Sequence, residues 1–377
     1  MLEPSKIHYY QPAFTLIGAG IMKMKHSHRP LPKIVPRGVT WLHDAALNFD
    51  PCDNMVYTEN GDKIQYEYMV VAVGINNDYD QITGLKRALK DPKVPVTTIY
   101  SPEYCQKTWK CIKQFTGGHA LFTFPPVGGK CSGASMKIMF LAHDYWRQKN
   151  ILKKTSITYN TSSDKLFGIP KYAIALRRLV MNRRIVPNYC AELVQVAPRE
   201  ATFLCVGGQT LTFPYNMLHV TPPMSPPACL RQCQELTNEA GFLDVDLYSL
   251  QHRRFPNVFG VGDCMGTPNS KTAAAVAPQS YVVERNLGNV MSGKPPVARY
   301  SGYGACPLIT SYKKGMLAEF AYDKKVCETF PFDQSKERRI LFQLNKRVFP
   351  HLYWKALVKG KWNGSATIRH IINPLRL

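Results

Sequence analysis

Two of the eleven cysteines in this 377-residue chain have neighbours that could make a thiol reactive. Cys131 lies in GGKCSGA, after a strand-like run and at the start of a stretch with helical apolar spacing, with Lys130 beside it. A helix N-terminus and an adjacent cation both favour the thiolate, the form in which cysteine acts as a nucleophile. Cys306 lies in YGACPLIT, where Gly304 and Pro307 predict a rigid loop that exposes the sulfur. Cys264, beside Asp263 in GVGDC, is a weaker candidate. Cys52, Cys105, Cys111, Cys190, Cys205, Cys229, Cys233 and Cys327 read as packing or surface thiols. The eleven are too irregularly spaced for a disulfide framework, and no CxxC pair marks a zinc site, so no metal is expected.

The elements that must carry these residues read as α/β. GVTWLHDAALNFD alternates like a strand, and NMVYTENGDKIQYEYMVVAVG predicts a hairpin turning at Asn60-Gly61. Its last run, Tyr68 to Gly74, is continuously apolar, as suits a strand buried on both faces of a parallel sheet. A second unit follows: a strand at Ala120 to Phe124, a Pro/Gly turn, a helix with Met136, Met139, Phe140 and Tyr145 on one side, and the strand SITYN. That is a βαβ pattern, hence two doubly wound, Rossmann-like units. VTPPMSPP, from Val220 to Pro227, is a stiff linker, after which NVFGVGDC reads as a strand and KTAAAVAPQSYVVERNLGNVM as a helix containing Pro278.

Two segments could touch a dinucleotide. Gly18-Ala19-Gly20 is tempting, but the third glycine of a fingerprint is replaced by Lys23 and no acidic residue follows at the right distance. GVGDC says more. An apolar strand ends at Gly262-Asp263 and a helix begins near Lys271-Thr272, an arrangement that in two-domain flavoproteins sets the aspartate by the ribityl chain and aims a helix N-terminus at the flavin. Glu3 is informative only in context, since an acidic residue ending the second strand of such a domain binds the adenosine ribose.

EPS, HYYQP, TLIGAG, GVTW, FPPVGGKCSGA, HVTPPMSPP, LQHRRFPNVFGVGDC, SKTAAAVA, ACPLIT and ETFPFDQSKER occur in an order and spacing that resemble sulfide:quinone oxidoreductases of the mitochondrial type, over essentially the whole chain. The resemblance implies FAD as cofactor, with Glu3 and Gln11 on its adenosine side, the backbone of Ala46 at the adenine, Gly74 allowing close passage, and Asp263, Ala273, Ala274, Ala275 and Val276 along the ribityl chain and flavin. It implies that Cys131 and Cys306 are the redox pair. Hydrogen sulfide would attack their disulfide, or a sulfur-bridged form of it, leaving a persulfide. The released thiolate would reduce the flavin, electrons would pass to ubiquinone, and the sulfane sulfur to glutathione or sulfite. The implied domains are 1–84 with 243–295 for FAD, 85–242 carrying Cys131, and 296–377 carrying Cys306. A type II NADH:quinone dehydrogenase shares this architecture, but PPVGGKCSGA does not supply its nicotinamide-site glycines.

The resemblance also places the family's first strand and GxGxxG turn ahead of position 1. The expectation is an incomplete FAD domain, with poor flavin retention or an inactive relative as the alternative. MLEPSKIHYYQP is not a secretory signal, and no apolar run approaches the ~20 residues that span a bilayer. The formal charge is +22, of which the segment from Lys336 onward supplies +9, with ten Lys or Arg against Glu337. Leu341, Leu344, Val348 and Leu352 recur at helical spacing, Phe349, Tyr353 and Trp354 add bulk, and Pro350 divides the run into two short helices. A basic amphipathic pair of this kind predicts an anionic membrane surface as partner, at the mitochondrial inner membrane by resemblance. Nucleic acid is not expected, because no recognition motif accompanies the charge.

Overall fold

The computed structural model describes residues 1–126 and 129–373. Val127 and Gly128 of the FPPVGGKCSGA motif and residues 374–377 of the tail lie outside the described residues. Along the chain come α1 (Ala13–Gly18), β1 (Ala46–Asp50), β2 (Met55–Thr58), β3 (Lys63–Gln65), β4 (Met69–Val71), β5 (Val96–Thr97) and α2 (Cys105–Gln114). Next are β6 (Gly118–Phe124), α3 (Ala134–Gln148), β7 (Thr155–Thr161), α4 (Pro170–Asn182), β8 (Val186–Tyr189) and β9 (Met217–His219). The chain then forms β10 (Val258–Gly260), α5 (Ala273–Met291), β11 (Gly304–Ile309), β12 (Gly315–Phe320), α6 (Arg339–Gln343), α7 (Phe349–Lys355) and α8 (Ala366–Ile372).

Among the described residues the largest sheet has five strands. It runs β8-β7-β6-β9-β5, every neighbour parallel. Parallel strands are covered on both faces, and this sheet obeys that rule. Ala120 and Phe122 of β6 and Ile157 and Tyr159 of β7 pack with α2, α3 and α4, while Leu121 and Leu218 meet Leu193 and Phe203 of an antiparallel ribbon over 192–214. Helix α3 is buried along most of its length, lying between the sheet and the β11–β12 hairpin.

The first unit carries small sheets. β1, β2 and β3 form the antiparallel sheet with its turn at Asn60-Gly61. β4 pairs in parallel with β10. Among the described residues this parallel sheet has two strands, and Val70 is 43% exposed, so β4 is not buried on both faces. Val71, Val258, Phe259, Cys264, Val282 and Val283 close the apolar cluster beneath it. Gly18 and Gly20 belong to no nucleotide loop. Gly18 ends α1, where a Cβ would strike Ile99, and a Cβ at Gly20 would strike Trp109 of α2.

Two expectations are corrected here. Cys306 is not on an exposed loop; it lies in β11, opposite Ala318 of β12, and is 1% exposed. The glycine and proline around it read as turn signals, but proline is tolerated in a two-stranded ribbon where a missing N–H need not break a ladder. Nor do Tyr353 and Trp354 project outward for insertion. The Tyr353 ring stacks over His8 and lies 4.6 Å from that of Tyr10, and Arg29 sits 4.7 Å over Trp354. Among the described residues no helix is long and apolar enough to cross a membrane.

Candidate active site

Three segments converge on one point. The turn at 129–133 leaves β6 and enters α3, the loop at 261–272 joins β10 to α5, and β11 brings Cys306. Cys131 adopts φ +51, a left-handed conformation that costs a non-glycine residue about 1–2 kcal/mol and is held by its neighbours. Its N–H donates to the Lys271 carbonyl at 2.8 Å, its own carbonyl accepts from Ala134 N–H, and the Tyr100 hydroxyl donates to that carbonyl at 3.3 Å.

The result is a pair of free thiols, Cys306 buried and Cys131 half-buried. Cys131 Sγ and Cys306 Sγ are 3.9 Å apart, and Lys137 Nζ lies 3.6 Å from Cys131 Sγ. The hydrogen bond from the Cys306 thiol brings Cys131 down to about 6; burial opposes this and the Lys137 charge assists it. Cys306 is held well above the usual thiol range because its proton is shared with the Cys131 sulfur and because it is buried. Lys137 is 4% exposed. Burial works against its charge, yet the Cys131 thiolate, aided by Cys306, keeps its pKa above the ordinary value. One sulfur is therefore poised as thiolate, the other as its hydrogen-bond donor. Gly133 makes the approach possible, since a Cβ there would come 2.5 Å from Cys306 Sγ and 2.6 Å from Leu308.

Lys137 is the residue that sequence reasoning missed. The expected cation, Lys130, faces Asp263 instead, and burial lowers its pKa. The signal was a lysine inside SMKIMFLAHDYW, an otherwise apolar helix start, where a charge must have a partner.

The cofactor candidates divide. Gly74 and Asp263 each follow the carboxyl end of a strand in the parallel β4–β10 pair, the end at which ligands bind in such sheets. Gly74 and Gly262 have φ of +69 and +85, with open space where a Cβ would stand. Burial pushes the Asp263 carboxyl up, while Lys271 and Lys130 pull it down less strongly. Helix α5 has no side-chain cap, and among the described residues Thr272 Oγ1 and Gln279 Nε2 are buried without a partner. Ala273, Ala274, Ala275 and Val276 form that helix's first turn, Ala275 buried and the others half-buried. These groups fit a polar chain laid along the β4–β10 end and the start of α5, as the ribityl and pyrophosphate portion of FAD requires.

On the adenosine side, Ala46 and Leu2 pack on the apolar cluster beneath β4. Glu3 joins them through Leu42, but its carboxylate accepts from Ser5 N–H at 2.7 Å. Gln11 stands apart, exposed at the turn into α1. Cys264 is fully buried; its thiol donates to the Val71 and Val261 carbonyls, and burial raises it to about 11. It is a packing residue, and no group of metal-binding side chains occurs among the described residues.

A parallel α/β sheet that sets one free cysteine against a second, buried one, beside a strand–loop–helix junction with spare polar groups, defines an α/β oxidoreductase. The chain matches no protein-family model. It is 42% identical to the mitochondrial sulfide:quinone oxidoreductase of Mus musculus, over 99% of this chain and 83% of that one. It is 39% identical to the mitochondrial enzyme of that name from Dictyostelium discoideum, over 100% and 82%. In structure it resembles the sulfide:quinone oxidoreductase of Aquifex aeolicus, with a TM-score of 0.80 at 18% identity over 100% of this chain and 89% of that one. The chain belongs to the family of mitochondrial sulfide:quinone oxidoreductases.

Proposed function

We propose that this protein oxidises hydrogen sulfide through Cys131 and Cys306 and passes the electrons, by way of FAD, to ubiquinone. The observation that carries the reading is the approach of half-buried Cys131 and buried Cys306 to 3.9 Å, with Lys137 Nζ at 3.6 Å from the Cys131 sulfur. In the oxidised form, hydrosulfide attacks one sulfur of the disulfide. The new S–S bond is a cysteine persulfide, the old one breaks, and its electron pair stays on the other cysteine as thiolate. Lys137 compensates negative charge on Cys131 in a site that holds no other cation within hydrogen-bond reach of that sulfur among the described residues. FAD, when bound, supplies the two-electron acceptor that links this thiolate to the quinone. Asp263, Gly74 and the first turn of α5 from Ala273 to Val276 would hold its ribityl side, and Glu3, Gln11 and Ala46 its adenosine side.

The FAD-binding portion is taken as 1–84 with 243–295, the Cys131 portion as 85–242 and the Cys306 portion as 296–377. Sulfane sulfur leaves to a small nucleophile such as glutathione or sulfite. The names of the relatives support a mitochondrial location, and the basic tail supports peripheral attachment to the inner membrane.

The test is sulfide-dependent reduction of a short-chain ubiquinone by the flavin-loaded protein. Cys131→Ser and Cys306→Ser should each reduce it by orders of magnitude, because either removes the disulfide that sulfide attacks. Cys264→Ser should change it little. Retention of more than about a tenth of the activity by either of the first two variants rules out the two-cysteine mechanism.

A further inference from the structure

The β11–β12 ribbon that carries Cys306 has a second, polar side. Opposed residues of an antiparallel pair share a face and successive ones alternate. Cys306 stands opposite Ala318, and Ala305 opposite Glu319. Cys306 therefore faces α3 and Cys131, while Glu319 faces the reverse side. There Glu319 is 2% exposed and its carboxylate is densely bound. Oε1 accepts from the hydroxyls of Tyr303 and Thr329, each at 2.6 Å, and from Ser365 at 3.2 Å. Oε2 accepts from Thr329 N–H at 2.8 Å and Gln334 Nε2 at 2.9 Å.

A buried carboxylate needs a compensating cation. Among the described residues it comes from α8, where Arg369 Nη2 lies 3.8 Å from Oε1, donates to Ser365 Oγ at 3.0 Å, and places its guanidinium 5.2 Å over the Tyr303 ring. Ser365, Arg369 and Asn373 are four residues apart and share one side of the helix. Asn373 Nδ2 donates to the Glu328 and Phe330 carbonyls.

We propose that Arg369 is a positioning residue for Cys306, setting through Glu319 the depth at which the ribbon presses Cys306 onto Cys131. A two-stranded ribbon is marginal alone and takes its position from what packs on its faces. On the forward face Gly133 of the turn into α3 abuts Cys306 and Leu308 of the ribbon. The Glu319 network bounds the reverse one. Without Arg369 the carboxylate loses its cation, the network relaxes toward water, and the ribbon is free to withdraw.

This rests on the reading of Cys131 and Cys306 as a pair, and the experiment separates the two. In the full-length reduced protein, alkylation of Cys131 by iodoacetamide is followed by peptide mass spectrometry between about pH 5 and pH 9. The charged groups facing Cys131 are Lys137 and Asp263, with the Cys306 thiol and the Tyr100 hydroxyl alongside. Arg369→Met should raise the midpoint by about one unit, so that alkylation near pH 6 slows several-fold to tenfold. Arg369→Lys should restore most of it. Asn373→Ala, which loosens the same helix away from Glu319, should leave the midpoint unmoved even if it lowers the melting temperature. If Arg369→Met lowers the melting temperature without moving the midpoint, or Asn373→Ala moves it equally, α8 merely packs and the proposal is wrong. Should Arg369→Met fail to fold, Glu319→Gln replaces it, with a shift in the same direction supporting the proposal and no shift overturning it. If Cys306→Ser leaves the Cys131 midpoint in place, the pair itself is refuted.

Discussion

At the scale of single residues, the proposed chemistry rests on a lysine that local sequence does not single out. Cys131 and Cys306 were legible because glycine, proline and lysine frame them, but their relation to each other came only from the family pattern. Lys137 was not legible, because a lysine in a helix ordinarily points to water and only the packed fold shows it 4% exposed beside a sulfur. Lys137→Met should therefore act through the thiol. Losing the cation removes a charge that favours the thiolate and leaves the burial that opposes it, so the Cys131 pKa should rise by about a unit or more. The sign is fixed: a thiolate half-formed at about pH 6 becomes half-formed at higher pH, and reactivity falls most just above pH 6. The pH profile of iodoacetamide alkylation measures this. An unchanged profile in the folded variant would mean that Lys137 is a structural lysine.

Elements were legible where both faces are apolar. β6, β7 and α3 stand where their patterns put them, and the Asn60-Gly61 hairpin forms as its turn residues demand. β11 was misread because Gly304 and Pro307 outweighed the apolar residues around them; what makes it a strand is its antiparallel partner β12, paired from Ile309–Gly315 to Gly304–Phe320. The central sheet also contains His219, fully buried in β9, whose Nε2 accepts from Ile99 N–H at 3.2 Å. Burial lowers its pKa to about 3. Between about 3 and 6.5 the unfolded chain therefore binds a proton that the folded chain refuses. This contribution to stability is fully present above about pH 6.5 and is lost as pH falls toward 3, at up to ~1.4 kcal/mol per unit. His219→Gln keeps an acceptor for Ile99 and removes the titration. Urea midpoints from pH 7 to about pH 4.5 should fall less steeply in the variant than in the parent. Parallel slopes would place the acid sensitivity elsewhere, with His143, brought to about 4 chiefly by burial, the next group to examine.

At the scale of the whole molecule, a charge of +22 with +9 in the last 42 residues is the reason to test for an anionic partner. The sequence supplied the charge and the apolar residues but not their directions, since helical spacing says which residues share a face and not what that face meets. Tyr353 and Trp354 are spent on His8, Tyr10 and Arg29, and Leu341 and Phe342 are buried. Among the described residues of the tail, the large apolar side chains left outward are Ile340, Val348, Ile368, Ile371 and Ile372, with Ile371 the most open at 71%. On α8 the outward isoleucines lie on the helix whose Arg369 and Asn373 hold the body of the protein, so the side that would meet a membrane differs from the side that docks. Each basic residue near an anionic bilayer contributes ~1 kcal/mol at low salt, and salt screens that attraction. Buried isoleucine side chains are not screened in this way and contribute ~25 cal/mol per Å². Sedimentation with anionic vesicles should therefore fall only partly as salt rises. Ile371→Asp with Ile372→Asp should abolish the salt-resistant fraction while sparing most low-salt binding. Trp354→Ala should instead lower the melting temperature, because it empties the packing beside Arg29. If the double aspartate variant sediments at high salt like the parent, α8 does not enter the membrane. If Trp354→Ala removes binding without loss of stability, the aromatic side of the tail does so after all.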